Sequence, residues 1–391
     1  MIISAAAESK IRRLMDSLTH IVVGAALGTA VLGRKAGPRA ALWGAVCASL
    51  PDLDVLIPHG DPVRDFTFHR GVSHSLFFLT LAAPFIAWAL ARLHRSAGAR
   101  WREWLLLTWL ALISHPLLDA FTVYGTQLLL PFSSEPVGAG SLFIIDPLYT
   151  VPLIVGVLAA LRWRVKAPEK AARWNAAGLA ISTSYLAWTL VAQAHVEGDV
   201  RRLLADSSLA GRPMLVTAAP LNSLLWRVVV MDDHGYSEGY RSVLDGRDAP
   251  VTLVHHASEA QLLDPLRRQD DWAVQRLAWF AKGFYAVREV SPDVAVASGS
   301  ASSLGQVLGL VQTARAAEPR VRDSRRLVVM DDLRMGQTPW FAFSFVVAER
   351  DGDRIVPMAS RQLPMARPPV TALGWVGRRI ISEEAGPPPG S

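Results

Sequence analysis

Side chains that can bind a metal ion are concentrated before residue 150 of this 391-residue sequence, where they stand at the ends of hydrophobic segments. Five histidines and five aspartates make up the group: His20, His59, His69, His74, His115, Asp16, Asp52, Asp54, Asp119 and Asp146. Imidazole together with carboxylate suits zinc, manganese or iron. The group therefore predicts a site for a divalent metal ion, with zinc as the first choice.

Two pairs of these side chains have a spacing that brings both members to one side of the chain. His115 and Asp119 are four residues apart in a hydrophobic segment, which places them on one face of a helix. Asp52 and Asp54 are two residues apart, so their carboxylates point the same way if the chain there is extended. Each pair can then share one ion.

Arg70 stands between two further candidate ligands at the start of a hydrophobic segment. A guanidinium beside a metal suits an anionic substrate group such as phosphate, so we assign Arg70 as the clamp for an anion. Asp52 is assigned as a ligand or as the general base. The predicted metal ligands are His20, Asp54, His69, His74, His115 and Asp119.

A single histidine or aspartate at a helix end is usually a cap or an interfacial residue, and the size of the group argues against that interpretation here. His59 lies in a turn between Pro58 and Gly60 and fits the group least. The other histidines are assigned no metal: His94, His195, His234, His255 and His256. The sequence also lacks a Gly-x-Ser-x-Gly nucleophile motif.

Six hydrophobic segments must position these side chains, in a chain whose hydrophobic content of 51% is high for a soluble protein. They are Leu18–Leu32, Ala40–Leu50, Ser75–Ala91, Trp104–Phe121, Pro147–Leu161 and Trp174–Ala194. The first two are shorter than the roughly 20 residues that cross a bilayer, and they suit a tilted or half-inserted hairpin. The segments predict an α-helical polytopic membrane domain over residues 15–195.

Basic residues divide the connections between these segments into two kinds. Three alternate connections, at 34–39, 92–102 and 162–173, carry clusters of Arg and Lys. The other two, at 51–74 and 122–146, carry aspartates and few basic residues. The positive-inside rule predicts that the basic connections face the cytoplasm and that the metal site faces outward. Six crossings then place both termini outside the bacterial inner membrane.

From residue 196 onward, apolar and charged residues alternate as in a water-soluble α+β fold. The predicted strands are Leu225–Met231, Val251–Val254, Asp293–Ala297, Arg326–Met330 and Phe341–Ala348, and the predicted helical stretch is Glu259–Phe284. Residues 196–380 are therefore expected to form a soluble domain outside the membrane. Residues 381–391, which are rich in Pro and Gly, are expected to be a disordered tail.

The net charge of +6 and the pI near 9.7 are those of many nucleic-acid-binding proteins. The basic residues of the first half lie between hydrophobic segments, however, where membrane topology accounts for them. We therefore expect the lipid bilayer and no nucleic acid among the partners. The single cysteine, Cys47, excludes an intrachain disulfide and a thiolate-rich zinc site. Met15 is a candidate for the natural start, because the coherent pattern begins there.

Five ordered motifs resemble those of the YdjM-like family of membrane-bound, metal-dependent hydrolases. They are Met15–His20, Pro51–Asp54, His69–Ser75, His115–Asp119 and Ile145–Tyr149. The resemblance covers about Met15 to Arg164, and it implies an integral membrane protein with a metal site and a hydrolase activity. The C-terminal half is not accounted for by the resemblance.

The expected function is metal-assisted hydrolysis of a lipid or phosphate-ester substrate at the outer membrane face, because the site would lie at the depth of lipid headgroups. One alternative is an ion or metal transporter, which predicts ionisable residues spread across the membrane rather than gathered at one end. Another is a non-catalytic envelope protein, in which a structural metal holds short helices together.

Overall fold

The computed structural model describes residues 5–95, 98–292, 325–365, 371–386 and 388. Within these ranges it describes the side chains from residue 18 onward, apart from that of Glu384. The first part is helical. Its helices are α1 (Ala5–Ala36), α2 (Pro38–Ser49), α3 (Pro62–Phe68), α4 (Leu76–Leu93), α5 (Trp101–Asp119), α6 (Pro147–Trp163) and α7 (Pro168–Leu203). Two 3-10 turns, η1 (Pro51–Leu56) and η2 (Val72–His74), connect them near the predicted ligands.

Helices α1 and α2 form a tight hairpin because small residues line the contact between them. Gly37, whose φ of 58° favours glycine, links the two helices. A Cβ atom added at Gly28 would overlap the carbonyl oxygen of Ala40, and one added at Gly24 would overlap that of Gly44. Close approach of this kind is a common way for helices of membrane proteins to pack.

The basic connections meet at one end of the helical bundle. Arg34, at the end of α1, donates a hydrogen bond over 2.7 Å to Glu169 at the start of α7. Lys35 donates over 2.6 Å to Glu103 near the start of α5. The connections that carry the predicted metal ligands consequently lie at the opposite end.

Among the described helices, α4 is the one that is both long and apolar enough to cross a membrane. Helix α6 is apolar but has 17 residues, and α2 has 12. Helices α1, α5 and α7 have the length, but charged and polar positions interrupt their apolar character. A helical N-terminal part is therefore confirmed, whereas the six crossings stay a prediction.

The second part contains two four-stranded antiparallel sheets, with strand orders β1-β2-β3-β4 and β10-β9-β6-β5. The strands are β1 (Met214–Ala218), β2 (Leu225–Met231), β3 (Gly235–Ser242), β4 (Leu253–Ala257), β5 (Tyr285–Val290), β6 (Arg326–Asp332), β7 (Gly336–Gln337), β8 (Trp340–Phe341), β9 (Ser344–Asp351) and β10 (Arg354–Gln362). The helical elements are η3 (Ala260–Leu263), α8 (Asp264–Arg268), α9 (Trp272–Phe280), α10 (Thr371–Ile381) and η4 (Glu383–Ala385). A sheet-containing C-terminal part is thus confirmed.

Strand β2 has the predicted bounds, and the predictions near residues 251, 326 and 341 correspond to β4, β6 and β8–β9 with shifted ends. The prediction at Asp293–Ala297 lies outside the described residues. Sequence reasoning misses β1, β3, β5, β7 and β10. Strand β3 is rich in glycine and polar residues, yet it is buried, because Arg227 of β2 donates a hydrogen bond over 2.7 Å to the carboxylate of Glu238.

The predicted helical stretch Glu259–Phe284 consists of three short elements, η3, α8 and α9, rather than one helix. Asp270 has a φ of 53° and interrupts the stretch between α8 and α9. The Asp271 carboxylate then caps α9 by accepting a hydrogen bond over 3.0 Å from the backbone N–H of Val274. Local backbone conformation therefore overrides the amphipathic pattern here.

Helix α7 joins the two parts of the molecule. Its side chains Ala192, Val196 and Val200 are buried in a core shared with β1 and β2. The predicted domain boundary at 195/196 falls inside this continuous helix.

The predicted disordered tail is structured where it begins. Helix α10 continues to Ile381, and η4 follows it. The indole N–H of Trp375 donates to the carbonyl oxygens of Ala385 and Gly386 over 3.2 and 3.1 Å. Burial of this indole against Tyr240 of β3 therefore fixes the chain just beyond α10.

Candidate metal centre

Five segments converge at the end of the bundle that lies opposite the basic connections: α1, η1, the residues after α3, η2 and α5. Local sequence shapes the turns among them. Pro51 begins η1, and Asp61 caps α3 by accepting hydrogen bonds from the backbone N–H groups of Val63 and Arg64. Ser75 caps α4 in the same way. These turns bring histidines and aspartates from distant parts of the sequence to one place.

Four donor atoms face one another at the centre of this region. His115 Nε2 lies 3.1 Å from His74 Nε2, 3.2 Å from Asp52 Oδ1 and 3.4 Å from Asp119 Oδ2. His74 Nε2 lies 3.6 Å from Asp52 Oδ1 and 3.4 Å from Asp119 Oδ2. Tetrahedral ligands at the usual zinc bond length stand about 3.3 Å apart. Each imidazole nitrogen therefore stands at ligand spacing from the other and from both carboxylates, and Asp52, His74 and His115 form one group of candidate ligands for a single ion.

Hydrogen bonds on the far side of both imidazoles determine which nitrogen presents a lone pair to the centre. His115 Nδ1 lies 2.6 Å from the carbonyl oxygen of Ala48, and because a carbonyl oxygen only accepts, Nδ1 carries the proton. Ser73 donates its hydroxyl proton to Asp54 Oδ2 over 2.6 Å, so it accepts from His74 Nδ1 at 2.9 Å. In the neutral form that binds metals, both rings then present the lone pair of Nε2 to the centre.

Two lone pairs 3.1 Å apart, beside two carboxylates, repel one another unless a cation lies among them. A proton can bridge only two donor atoms, whereas a divalent ion held there would be shared by several of them. Hydrogen bonds from the outer imidazole nitrogen to a carbonyl or carboxylate are also the usual support of metal-binding histidines. The donor set therefore fits a divalent ion, and its nitrogen and oxygen atoms suit zinc.

His20 belongs to a second, overlapping group of donors with His115 and Asp119. Its Nε2 lies 3.2 Å from Asp119 Oδ1, and its ring stacks on that of His115 with the centroids 3.8 Å apart. Among the residues that the structure describes, its buried Nδ1 atom has no hydrogen-bond partner. His20 is thus placed to bind an ion itself or to hold the Asp119 carboxylate.

Asp54 and His69, both predicted as ligands, lie beside the four donors but face each other. His69 Nδ1 is 2.9 Å from Asp54 Oδ1, and Asp54 Oδ2 accepts from Ser73 and from the backbone N–H of Arg70. The carboxylates of Asp52 and Asp54 diverge because η1 is a 3-10 turn with three residues per turn, not the extended stretch that we expected. Asp54 therefore supports the histidine segment rather than facing the four donors.

Burial opposes ionisation of the Asp54 carboxyl group. The hydrogen bond and charge of His69, together with His74 and Ser73, outweigh burial and lower the pKa of Asp54. The group is therefore anionic at neutral pH, as a carboxylate that accepts from a serine and an imidazole must be.

Arg70, predicted to clamp an anion, lies against a candidate ligand. Its side chain is buried, and Nη2 lies 3.1 Å from Asp119 Oδ1 while Nη1 donates to Thr122 Oγ1 over 3.0 Å. The guanidinium carbon stands 4.9 Å above the ring of Tyr124. One anion beside Arg70 is thus the Asp119 carboxylate, so this arginine is placed to orient a candidate ligand.

The remaining predicted members of the group lie apart from the four donors. His59 pairs with Asp65 at 3.3 Å, and Asp146 caps α6 while accepting from Tyr185 over 2.7 Å. The side chain of Asp16 lies outside the described residues. His94 accepts from Trp43 at the basic end of the bundle.

The C-terminal part packs on the segment that carries His69 and Arg70. Arg334 donates over 2.9 Å to the carbonyl oxygen of Tyr124, whose ring lies under Arg70. Arg276 donates over 3.0 Å to the hydroxyl group of Thr67. The C-terminal part is therefore in direct contact with the segments that carry the candidate ligands, which the sequence did not reveal.

Comparison with known proteins relates the membrane part to bacterial inner membrane proteins. The YdjM inner membrane protein family matches residues 15–196. The inner membrane protein YbcI of Escherichia coli is 36% identical over 121 residues, which cover 30% of this chain and 68% of YbcI. No solved structure matches the chain.

A second relative extends the likeness beyond the membrane part. The uncharacterized protein YfhP of Bacillus subtilis is 26% identical over 272 residues, which cover 63% of this chain and 76% of YfhP. Residues 1–196 are about half of the chain, so this likeness includes part of the C-terminal half. From the family match and the likeness to YbcI over two thirds of its length, the chain belongs to the YdjM inner membrane protein family.

Proposed function

We propose that the chain is a membrane-bound, metal-dependent hydrolase whose centre is formed by His74, His115, Asp119 and Asp52. The supporting observation is that the Nε2 atoms of both histidines lie within 3.1–3.6 Å of each other and of both carboxylates. A divalent ion held there, with zinc as the first choice, would polarise a phosphoryl or carbonyl oxygen as a Lewis acid. A lipid ester or a phosphate ester is the kind of substrate that suits such chemistry.

The protein's own residues divide the remaining work. Arg70 orients the Asp119 carboxylate, and Ser73 fixes the tautomer of His74. Asp52 is the most open of the four donors, with 22% of its side chain exposed. At that position its carboxylate can take a proton from the attacking water as the general base.

A structural metal site is the second candidate function, and one observation favours it. Structural zinc sites have four protein ligands, whereas catalytic ones have three and an open position. If Asp52 binds the ion, the centre is closed, and it would join α5 to η1 and η2 without catalysis. If Asp52 is the general base, the three remaining donors leave a position open. The role of Asp52 therefore separates the two functions.

An ion pathway has less support. The ionisable residues of the centre are gathered at one end of the bundle, and the opposite end carries the exposed pairs Arg34–Glu169 and Lys35–Glu103. The described cavity beside His20 measures about 10 Å³, which is room for roughly one water molecule. These observations favour a site over a conduit.

Hydrolysis is tested with purified protein that contains its full complement of zinc, manganese or magnesium, against a panel of phosphate-ester and lipid substrates. We expect turnover that a chelator abolishes and that added metal restores. His115→Ala should fall to the uncatalysed background, whereas His94→Ala, at the basic end, should keep wild-type activity. If the metal-loaded wild type hydrolyses no member of the panel, the structural function replaces the hydrolase.

For the orientation, we propose a multi-pass arrangement in which the basic end faces the cytoplasm and the C-terminal part lies outside. Cys47 is the single cysteine, so Cys47→Ala provides a cysteine-free background. A membrane-impermeant maleimide applied to intact cells should label Leu244→Cys, which is exposed beside Asp245, and spare Lys166→Cys. Labelling of Lys166→Cys alone would reverse the orientation.

A further inference from the structure

Large apolar side chains are exposed immediately beside the candidate metal centre. Leu53, Leu56 and Ile57 belong to or follow η1, and Val72 begins η2. Each of the four is between 54% and 64% exposed, and we call them the apolar rim. Asp52 and Asp54, from the same turn as Leu53, point inward to the histidines. The turn thus has one face that is polar and buried and another that is apolar and exposed.

The apolar rim continues the exposed apolar surface of the helices on either side. Helix α2, which leads directly into η1, exposes Leu42 and Val46. Helix α4, which begins just after η2, exposes Phe77, Leu81 and Phe85 along one stripe. Since α4 is the described helix that is long and apolar enough to cross a membrane, its stripe would meet lipid tails in a bilayer. The same surface therefore extends to the turn that carries Asp52, the most open of the four donors.

A continuous apolar surface of this kind is unfavourable in water, because exposing each apolar side chain to water costs free energy. Contact with lipid removes that penalty at the end of the bundle where the candidate centre lies. Asp52 is the most open of the four donors and stands next to Leu53, so polar and apolar features adjoin at the entrance. An amphiphile, with a polar ester and an apolar chain, matches both features at once.

We propose that the apolar rim lies in the bilayer and seats the acyl chains of a membrane lipid, whose headgroup ester then faces the metal centre. This assignment of the substrate class rests on the proposed hydrolase function. The reaction consumes one water molecule and breaks the headgroup ester bond. The water oxygen joins the acid fragment with one hydrogen, and the other hydrogen goes to the alcohol that leaves.

The position of the rim is measured without any activity. In the Cys47→Ala background, Ile57→Cys carries a nitrobenzoxadiazole fluorophore, and the protein is reconstituted in phosphatidylethanolamine–phosphatidylglycerol vesicles that contain nitroxide-labelled lipid. We expect severalfold stronger quenching than for the same label at Leu244→Cys in the C-terminal part. Phe85→Cys, on the α4 stripe, provides the bilayer reference. Quenching at residue 57 that is no stronger than at residue 244 would overturn the proposal.

The substrate class is measured with the double variant Leu56→Glu and Ile57→Glu. We expect hydrolysis of vesicle lipid to fall at least tenfold more than hydrolysis of a short-chain, water-soluble ester, at equal metal content. Equal losses on both substrates would contradict seating of acyl chains by the rim. If the wild type hydrolyses neither substrate, the lipid-substrate assignment fails together with the proposed function, while the quenching result still decides whether the rim lies in the bilayer.

Discussion

His74→Ala protein purified in detergent is expected to bind a divalent metal at least about 100-fold more weakly than the wild type. Loss of a residue that only supports a ligand weakens metal binding by about 10–100-fold, and loss of the ligand itself should exceed that range. His74 also lies within 3.1–3.6 Å of the three other donors, so its removal opens the whole set. Metal analysis after dialysis against a competing chelator measures the effect.

The matched control is His94→Ala, because His94 is a histidine of the same protein at the opposite end of the bundle. Ser73→Ala gives a graded comparison, since Ser73 contacts His74 Nδ1 but faces no ion. Metal binding by the Ser73→Ala protein should weaken by about 10–100-fold, as it does when other residues that hydrogen-bond to a metal ligand are removed. Equal metal content in the His74→Ala and His94→Ala proteins would exclude the assigned centre.

Asp52→Asn is expected to keep its metal and to lose hydrolysis by about 10²–10⁴-fold, the usual contribution of a positioned general base. The amide is nearly the size of the carboxylate but accepts no proton from water. His74, His115 and Asp119 would still provide three ligands, which is the number at catalytic zinc sites. Metal content and initial rates are measured on the same preparations.

Asp65→Asn is the control for this change, because Asp65 lies in the same connection and contacts His59 rather than the centre. It should keep both metal and activity. Loss of metal from Asp52→Asn would make Asp52 the fourth ligand of a closed site, and the structural function would then be favoured.

The sequence predicted the centre best where regular structure fixes the geometry. His115 and Asp119 share a helix face because α5 spans both, as their spacing required. The separation of basic from acidic connections likewise anticipated which residues would meet at each end of the bundle. Such inferences depend on periodicity and charge, which a single sequence displays directly.

The sequence could not show how irregular segments orient their side chains. The 3-10 conformation of η1 sends Asp54 toward His69 while Asp52 faces His74 and His115. His115 Nδ1 is hydrogen-bonded to the backbone carbonyl oxygen of Ala48. Every residue has such an oxygen, so the residue type at position 48 gives no sign of this contact. Of the groups that support the two histidines, Ser73 is the one that the sequence could have indicated. It directly precedes His74, and its hydroxyl can form a hydrogen bond with the neighbouring imidazole.

The C-terminal part was harder to predict because its stability depends on pairing between distant residues. Strand β3 is polar in sequence and becomes buried only with Arg227 beside Glu238. The contact of Arg334 with Tyr124 links residues 210 positions apart. The strands were predicted from the alternation of apolar and polar residues, and this alternation does not indicate the Arg227–Glu238 pair or the Arg334–Tyr124 contact.

Helix α7 runs without a break from the part of the chain that matches the family into the C-terminal part. A helix lengthens at its C-terminal end without disturbing its earlier hydrogen bonds, because each N–H bonds to the residue four positions before it. The family match ends at residue 196, inside α7, while the likeness to YfhP continues beyond it. The candidate ligands all precede this point, so the helical bundle that carries them is encoded apart from the two sheets. In this chain, the part that matches the family therefore ends within the helix that continues to the two sheets.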